Sequence, residues 1–146
     1  MRCERAGLCN MRIMAIDYGD ARTGIAVSDM LGMIAGETFV ITQWDPDVLA
    51  DTIVREAKAR NVEKLVLGLP KNMDGTEGPR AEKARALAAM LEEKGALPVV
   101  MWDERRTTVD AHRILRANGK KERKHKATVD AVAAALILEG FLGTLQ

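Results

Sequence analysis

Cysteine is almost missing from this chain: two among 146 residues, Cys3 and Cys9, both in the first ten positions and outside any apolar pattern. Two thiols six apart, with no matching histidine or cysteine elsewhere, form neither a zinc site nor a disulfide framework. A reducing cytoplasm is the expected compartment. Long apolar runs are missing too. The longest, Ala131 to Leu138, is eight residues, where a bilayer crossing needs roughly 20. No segment at the start has the basic head, apolar middle and small-residue cleavage site of a secretory signal, so no membrane partner is expected. Aromatic residues are few and scattered: Tyr18, Phe39, Trp44, Trp102 and Phe141. A platform that stacks successive bases uses several rings on neighbouring strands, and this spacing argues against one. The two histidines, His112 and His125, give little support to zinc or histidine-based nucleophilic chemistry.

What is present is a core. Hydrophobic residues make up 47% and charged residues 29% of the chain, a balance that fits one soluble domain able to bury its own interior. Residues 1–10 lack periodicity and read as a mobile N-terminal extension, or as residues upstream of a start at Met11; residues 11–146 read as a single domain. The formal net charge is only +1, but it is unevenly placed. Between Glu104 and Lys126 stand nine Lys or Arg against three acids, so that stretch carries +6 and the remainder −5. Placement of charge decides more about partners than its sum.

The periodicity alternates between strand and helix. Ile13-Met14-Ala15-Ile16 is a continuous apolar run, the mark of a strand covered on both faces. Gly24 to Ser28 and Glu37 to Thr42 read as two more strands, joined by short turns into an antiparallel meander. Asp45-Pro46 marks a helix start, with Leu49, Ile53 and Ala57 stacked inward and Asp51, Arg55 and Lys58 outward. Leu65 to Gly68 reads as a fourth strand, and a helix opened by Pro79 carries Ala84, Leu87, Ala88 and Leu91 on one face. Pro98 to Trp102 reads as a fifth strand. A helix follows from about Thr107 to Asn118, then a basic loop, then a last helix capped by Thr128 and running to about Leu142. The expectation is an α/β fold: a five-stranded mixed sheet, an antiparallel three-strand meander plus parallel strands, with helices on both faces.

Acids terminate the most apolar elements. Asp17 ends the first strand, Asp103 and Glu104 follow the fifth, and Asp130 precedes eight residues without a polar side chain. Each has an ordinary reading alone: a turn cap, a surface ion pair with Arg105 or Arg106, a partner for a helix dipole. Together they suggest something else. If the first and fifth strands run parallel, Asp17 and Glu104 emerge at one sheet edge, where α/β proteins build their sites. Converging carboxylates repel unless a cation joins them, and two divalent ions in such a site clamp an in-line phosphoryl displacement.

Four segments carry a resemblance. Met14-Ala-Ile-Asp-Tyr-Gly-Asp-Ala-Arg-Thr-Gly-Ile-Ala-Val-Ser-Asp29, Gly68-Leu-Pro-Lys-Asn-Met-Asp-Gly-Thr-Glu-Gly-Pro79, Asp103-Glu-Arg-Arg-Thr-Thr108 and Asp130-Ala-Val-Ala-Ala134 resemble, in order, the motifs of the YqgF (RuvX) family of RNase H-like proteins. The resemblance implies an RNase H-like fold and a metal-dependent nuclease. It implies either trimming of the 5′ end of precursor 16S rRNA or resolution of four-way Holliday junctions. Carried over, the catalytic and metal-binding triad is Asp17, Glu104 and Asp130, with Mg²⁺ or Mn²⁺ in a two-metal site, Asp17 bridging the ions. Arg106 departs from the pattern, standing where the family's third motif has leucine; it pairs with Glu104 or contacts phosphate.

Lys71, Asn72, Arg105, Arg106, Lys120, Lys121, Arg123, Lys124 and Lys126 are the candidates to hold backbone phosphates, a contact that gives position without sequence. The partner is then nucleic acid, precursor rRNA or branched DNA. Symmetric cutting of a four-way junction requires two active sites and hence a dimer, whereas trimming one RNA end does not. Two other functions stay open: a non-catalytic RNA-binding or transcription-associated factor that keeps the fold, and an ATP-binding protein of the actin and sugar-kinase type, whose phosphate loop resembles Asp17-Tyr18-Gly19.

Overall fold

The computed structural model describes residues 12–28, 35–72, 74–103 and 122–144. Their elements are β1 (Arg12–Asp17), β2 (Arg22–Ser28), β3 (Ala35–Thr42), α1 (Pro46–Ala59), β4 (Val62–Leu69), α2 (Pro79–Gly95), β5 (Val99–Asp103) and α3 (Glu122–Gly143). The strands form one sheet in the order β3-β2-β1-β4-β5. β1 pairs antiparallel with β2, and β2 with β3. β1 pairs parallel with β4, and β4 with β5. The mixed sheet read from the sequence is the one observed.

Alternation along β1 divides the core. Met14 and Ile16 face one side, with Leu65 and Leu67 of β4 and the inward rows of α1 and α2. Ile13 and Ala15 face the other, with Ala26, Val66 and Trp102 and, from α3, Ala134, Ile137, Leu138, Phe141 and Leu142. Both faces being covered explains why β1 is apolar without a break. Helix α1 begins as its sequence dictates: the Asp45 carboxylate accepts from the Asp47 amide at 2.9 Å, with Pro46 in the first turn. Lys94 ties α2 back to α1, its ammonium 3.3 Å from Asp47 and 3.0 Å from Asp51. Where α2 ends, a Cβ on Gly95 would lie 3.0 Å from Val54 Cγ2 of α1. The left-handed turn falls on the next residue, Ala96, at φ 56°.

Strands run longer than their apolar centres. β1 includes Arg12, whose guanidinium donates to the Ser28 and Arg60 carbonyls at 3.3 and 3.1 Å. β4 takes in Val62-Glu63-Lys64 ahead of Leu65.

The last helix corrects the expected boundary. It begins at Glu122, not Thr128, so Arg123, Lys124, His125 and Lys126 have helical backbone rather than forming a loop. Lys, Arg and Glu are good helix formers, and between Gly119 and Thr128 nothing breaks the helix. The helix expected over 107–118 lies outside the described residues. Among those described, no helix is long and apolar enough to cross a membrane.

Candidate active site at the carboxyl edge of the sheet

Because β1, β4 and β5 are mutually parallel, their carboxyl ends share one edge. β1 ends there on Asp17, β4 on Leu69 and β5 on Asp103. Neighbouring strands are about 4.8 Å apart, so β1 and β5, separated only by β4, present their last residues roughly 10 Å apart. Alternation puts Asp17 on the face of Ile13 and Ala15, the side covered by α3. It puts Asp103 on the opposite face, with Val99 and Met101.

The neighbours of Asp17 are small. In β2 its partner is Gly24. In β4, Gly68 follows Leu67, which is paired with Ile16, so Gly68 stands level with Asp17 on the other side. Asp17 is therefore flanked across both ladders by residues without side chains. A glycine inside a strand weakens it, and it recurs where a ligand or another backbone must come close. Asp17 is half-buried between these two glycines.

Asp130 lies in α3, four residues before buried Ala134 and seven before buried Ile137. That spacing gives it a register position on the sheet-facing row of the helix. The helix is anchored at its far end by Phe141, edge-to-face with Trp102 at 6.3 Å and 84°. Glu104, Arg105, Arg106, Lys120 and Lys121 lie outside the described residues. Arg123, Lys124 and Lys126 belong to the first turns of α3.

The loop after β4 is held by its own hydrogen bonds. The Asn72 amide nitrogen Nδ2 donates to Thr76 Oγ1 at 2.9 Å, and the Thr76 amide and hydroxyl both donate to Asp74 Oδ1, at 3.0 and 2.7 Å. Gly75 supplies the positive φ, 90°, that the Asp-Gly turn requires. Lys71 bridges to Glu77 across the loop. Arg85 of α2 then clasps Glu77 through two bonds of 2.8 and 2.7 Å, holding the Glu77 carboxyl below its ordinary range. Asn72 thus shapes the loop, while Lys71 is half-buried beside it. The turn between β1 and β2 is joined to α2 more loosely, Asp20 lying 3.7 Å from both Arg80 and Lys83.

Among the described residues, no three acids, histidines or cysteines converge on one point; of the three carboxylates singled out, only the Asp17 side chain falls within them. The donors in question are oxygen only, which suits a hard cation such as Mg²⁺ or Mn²⁺ and not zinc or copper.

Residues 11–144 match the family model RuvX, described as Holliday junction resolvase. The chain belongs to this family. Relatives of RuvX type include a Halothermothrix orenii protein, 45% identical over 132 residues that make up 90% of this chain and 94% of that one. A Bacillus subtilis protein is 40% identical, covering 93% of this chain and 100% of its own. Both carry the name "Putative pre-16S rRNA nuclease". Among solved structures, Thermus thermophilus RuvC in complex with Holliday junction substrate superposes with a TM-score of 0.60 at 14% identity, over 92% of this chain and 97% of that one. Fowlpox virus resolvase with Holliday junction DNA gives 0.58 at 11%, over 92% and 99%. These two show the RNase H-like fold of this chain. Family membership makes it a nuclease, a hydrolase of phosphodiester bonds.

The sequence reading missed Tyr18, Trp44 and Lys83, which line one cleft beside this edge. They come from the β1–β2 turn, the β3–α1 connection and α2, and only Trp44 carries a local signal, a large apolar ring between polar Gln43 and Asp45.

Proposed function

We propose that this chain is a divalent-metal-dependent endonuclease that processes the 5′ end of precursor 16S rRNA, with Asp17, Glu104 and Asp130 as its catalytic carboxylates. The observation that carries the reading is the position of Asp17: half-buried at the carboxyl edge of three parallel strands, with Gly24 and Gly68 on its two sides. A bulky side chain in either neighbour would close the space that a phosphate and its ions need. Asp130 supports it by its register on the sheet-facing row of α3. Between the two acids at the end of β5, the choice of Glu104 is supported by Asp103 facing away from Asp17.

Asp17, Glu104 and Asp130 would hold Mg²⁺ or Mn²⁺. Once bound, such ions make a water more acidic and stabilise charge on the leaving oxygen. The protein's own part is to orient the three carboxylates and keep them ionised. It also fixes the strand by phosphate contacts from Arg105, Arg106, Lys120, Lys121, Arg123, Lys124 and Lys126, with Lys71 and Asn72 at the neighbouring loop. Those contacts make binding salt-dependent and indifferent to sequence. The relatives' name favours precursor RNA. The family's description favours a four-way DNA junction as the competing substrate.

The test presents the purified protein with both substrates in Mg²⁺ or Mn²⁺, beside an EDTA control. Precursor RNA is cut, EDTA stops the reaction, and Asp17→Asn lowers the rate by about a thousand-fold or more without lowering the melting temperature. Full activity in Asp17→Asn would remove the triad. Cleavage of the junction alone would move the substrate to branched DNA.

A further inference from the structure

We propose that the cleft between Trp44, Tyr18 and Lys83 receives one unpaired nucleotide of the substrate strand beside the cleavage site, its base against the indole and its phosphate on Lys83 and Arg80. The proposal deepens the nuclease reading and rests on it.

Trp44 is 72% exposed, an unusual state for the largest apolar side chain, and of the large hydrophobic residues described only Val48 joins it in being exposed. It stands between β3 and α1 and forms one wall of a cleft of about 450 Å³, with Tyr18, Asp20, Pro46, Lys83, Ala86 and Met90. That volume lies in the roughly 300–1,000 Å³ range of small-ligand sites. The lining suits a flat heteroaromatic body: an indole, a phenol, a thioether and two small apolar side chains. Five scattered aromatics do not make a stacking platform, yet the topology of the sheet and α1 brings two of them to one place.

The rim suits a phosphate. Lys83 and Arg80 each lie 3.7 Å from Asp20, and all three side chains are at least 60% exposed. Ion pairs that long and that exposed are weak, so the cations re-pair readily with an incoming anion. Two cations against one acid leave the rim net positive.

Continuity with the catalytic edge selects the occupant. A narrow crevice lined by Tyr18, Gly19, Asp20, Pro70, Arg80, Lys83 and Ala84 shares Tyr18, Asp20 and Lys83 with the cleft and reaches the ends of β1 and β4. Tyr18 is the residue after Asp17, but it packs on the α1/α2 side of the sheet whereas Asp17 alternates to the α3 side. A strand whose scissile phosphate sits at Asp17 therefore meets the cleft on crossing the sheet edge. A base held in a duplex cannot turn into such a cleft; an unpaired one can.

The test measures binding of the full chain in EDTA, where cleavage is stopped. The probes are short single-stranded RNA and DNA of one sequence and the corresponding duplex. Tryptophan fluorescence reports the site, because Trp102 is only 7% exposed. Single strands quench the signal and the duplex does not. Trp44→Ala weakens single-strand binding about ten-fold, and Trp44→Phe recovers most of it. Lys83→Ala flattens the slope of log affinity against log salt by about 0.7, one phosphate's share. All three variants melt with wild type. Quenching by RNA alone identifies the precursor as the source of the nucleotide, and by DNA alone a junction arm. Equal binding of duplex, no quenching, or unchanged affinity in Trp44→Ala overturns the proposal. The outcome is independent of Asp17→Asn: if that variant still cleaves while the Trp44 effects hold, the triad falls and the cleft stands.

Discussion

The two faces of the sheet do different work. Toward α1 and α2 the strands contribute Met14, Ile16, Ile25, Val27, Leu65 and Leu67, and two helices cover them with Leu49, Ile53, Leu87 and Leu91. Toward α3 the strands near Asp17 contribute Ala15, Gly24, Ala26 and Gly68. Large branched side chains interlock and carry stability; small ones leave volume for something that is not protein. Both faces are packed, the α3 side through Ile13, Val66 and Trp102, but only on that side do small residues stand level with a carboxylate.

The contrast is open to mutation. Leu67→Ala, in the fully buried centre of the larger core, is expected to cost about 3–5 kcal/mol, read as a lower urea midpoint, while active protein that remains folded still cleaves. A loss under about 1 kcal/mol would mean that this face is not the main support. Gly24→Val places a branched side chain beside Asp17; it is expected to cost about 1–3 kcal/mol through overpacking and to stop cleavage at temperatures where the variant is still folded by circular dichroism. Retained cleavage would show that the small neighbours of Asp17 are not needed for the reaction.

A smaller effect is expected at the sheet margin. Arg60, at the end of α1, pairs with Glu37 of β3 at 2.9 Å, bonds Glu56, and lies 4.7 Å above the Phe39 ring. Its guanidinium holds the Glu37 carboxyl below the usual glutamate range, and the two acids raise Arg60 in turn. Glu37 is 43% exposed, so the ion pair is worth no more than about 1 kcal/mol, with a similar amount from the ring contact. The sign follows from the depressed pKa. The pair's contribution is present above the unfolded glutamate value of about 4.3 and is lost as pH falls through the lower folded value. Arg60→Ala should therefore melt below wild type at pH 7, with the gap narrowing in acid without closing. A gap that ignores pH would assign the whole effect to the ring.

Much of this architecture was legible beforehand, for local reasons. Asp45-Pro46 announced α1 because a cap is read within four residues, and the rows Leu49-Ile53-Ala57 and Ala84-Leu87-Ala88-Leu91 gave the buried faces of α1 and α2. Strand ends were less legible. Arg12 joins β1 through its pairing with Val62, and Glu63 is carried into β4 as the unpaired residue at a register shift between Val62 and Lys64, which no local pattern records. The start of α3 was misread because a run of charges looks like solvent-exposed loop, although lysine, arginine and glutamate favour helix. At the candidate site, Asp17 could be read from the apolar run it terminates. Its relation to Gly24 and Gly68 depends on register, and the meeting of Tyr18, Trp44 and Lys83 on the packing of α2 beside the β1–β2 turn.

One detail at the end of α2 reaches further than its size. Glycine occupies position 95, where α1 and α2 nearly touch, and the awkward reversal after it is left to alanine. Exchanging the two would relax the bend but press a methyl group against Val54, which would have to give by a few tenths of an ångström. A single hydrogen atom in place of a methyl group thereby keeps the two helices at their present spacing.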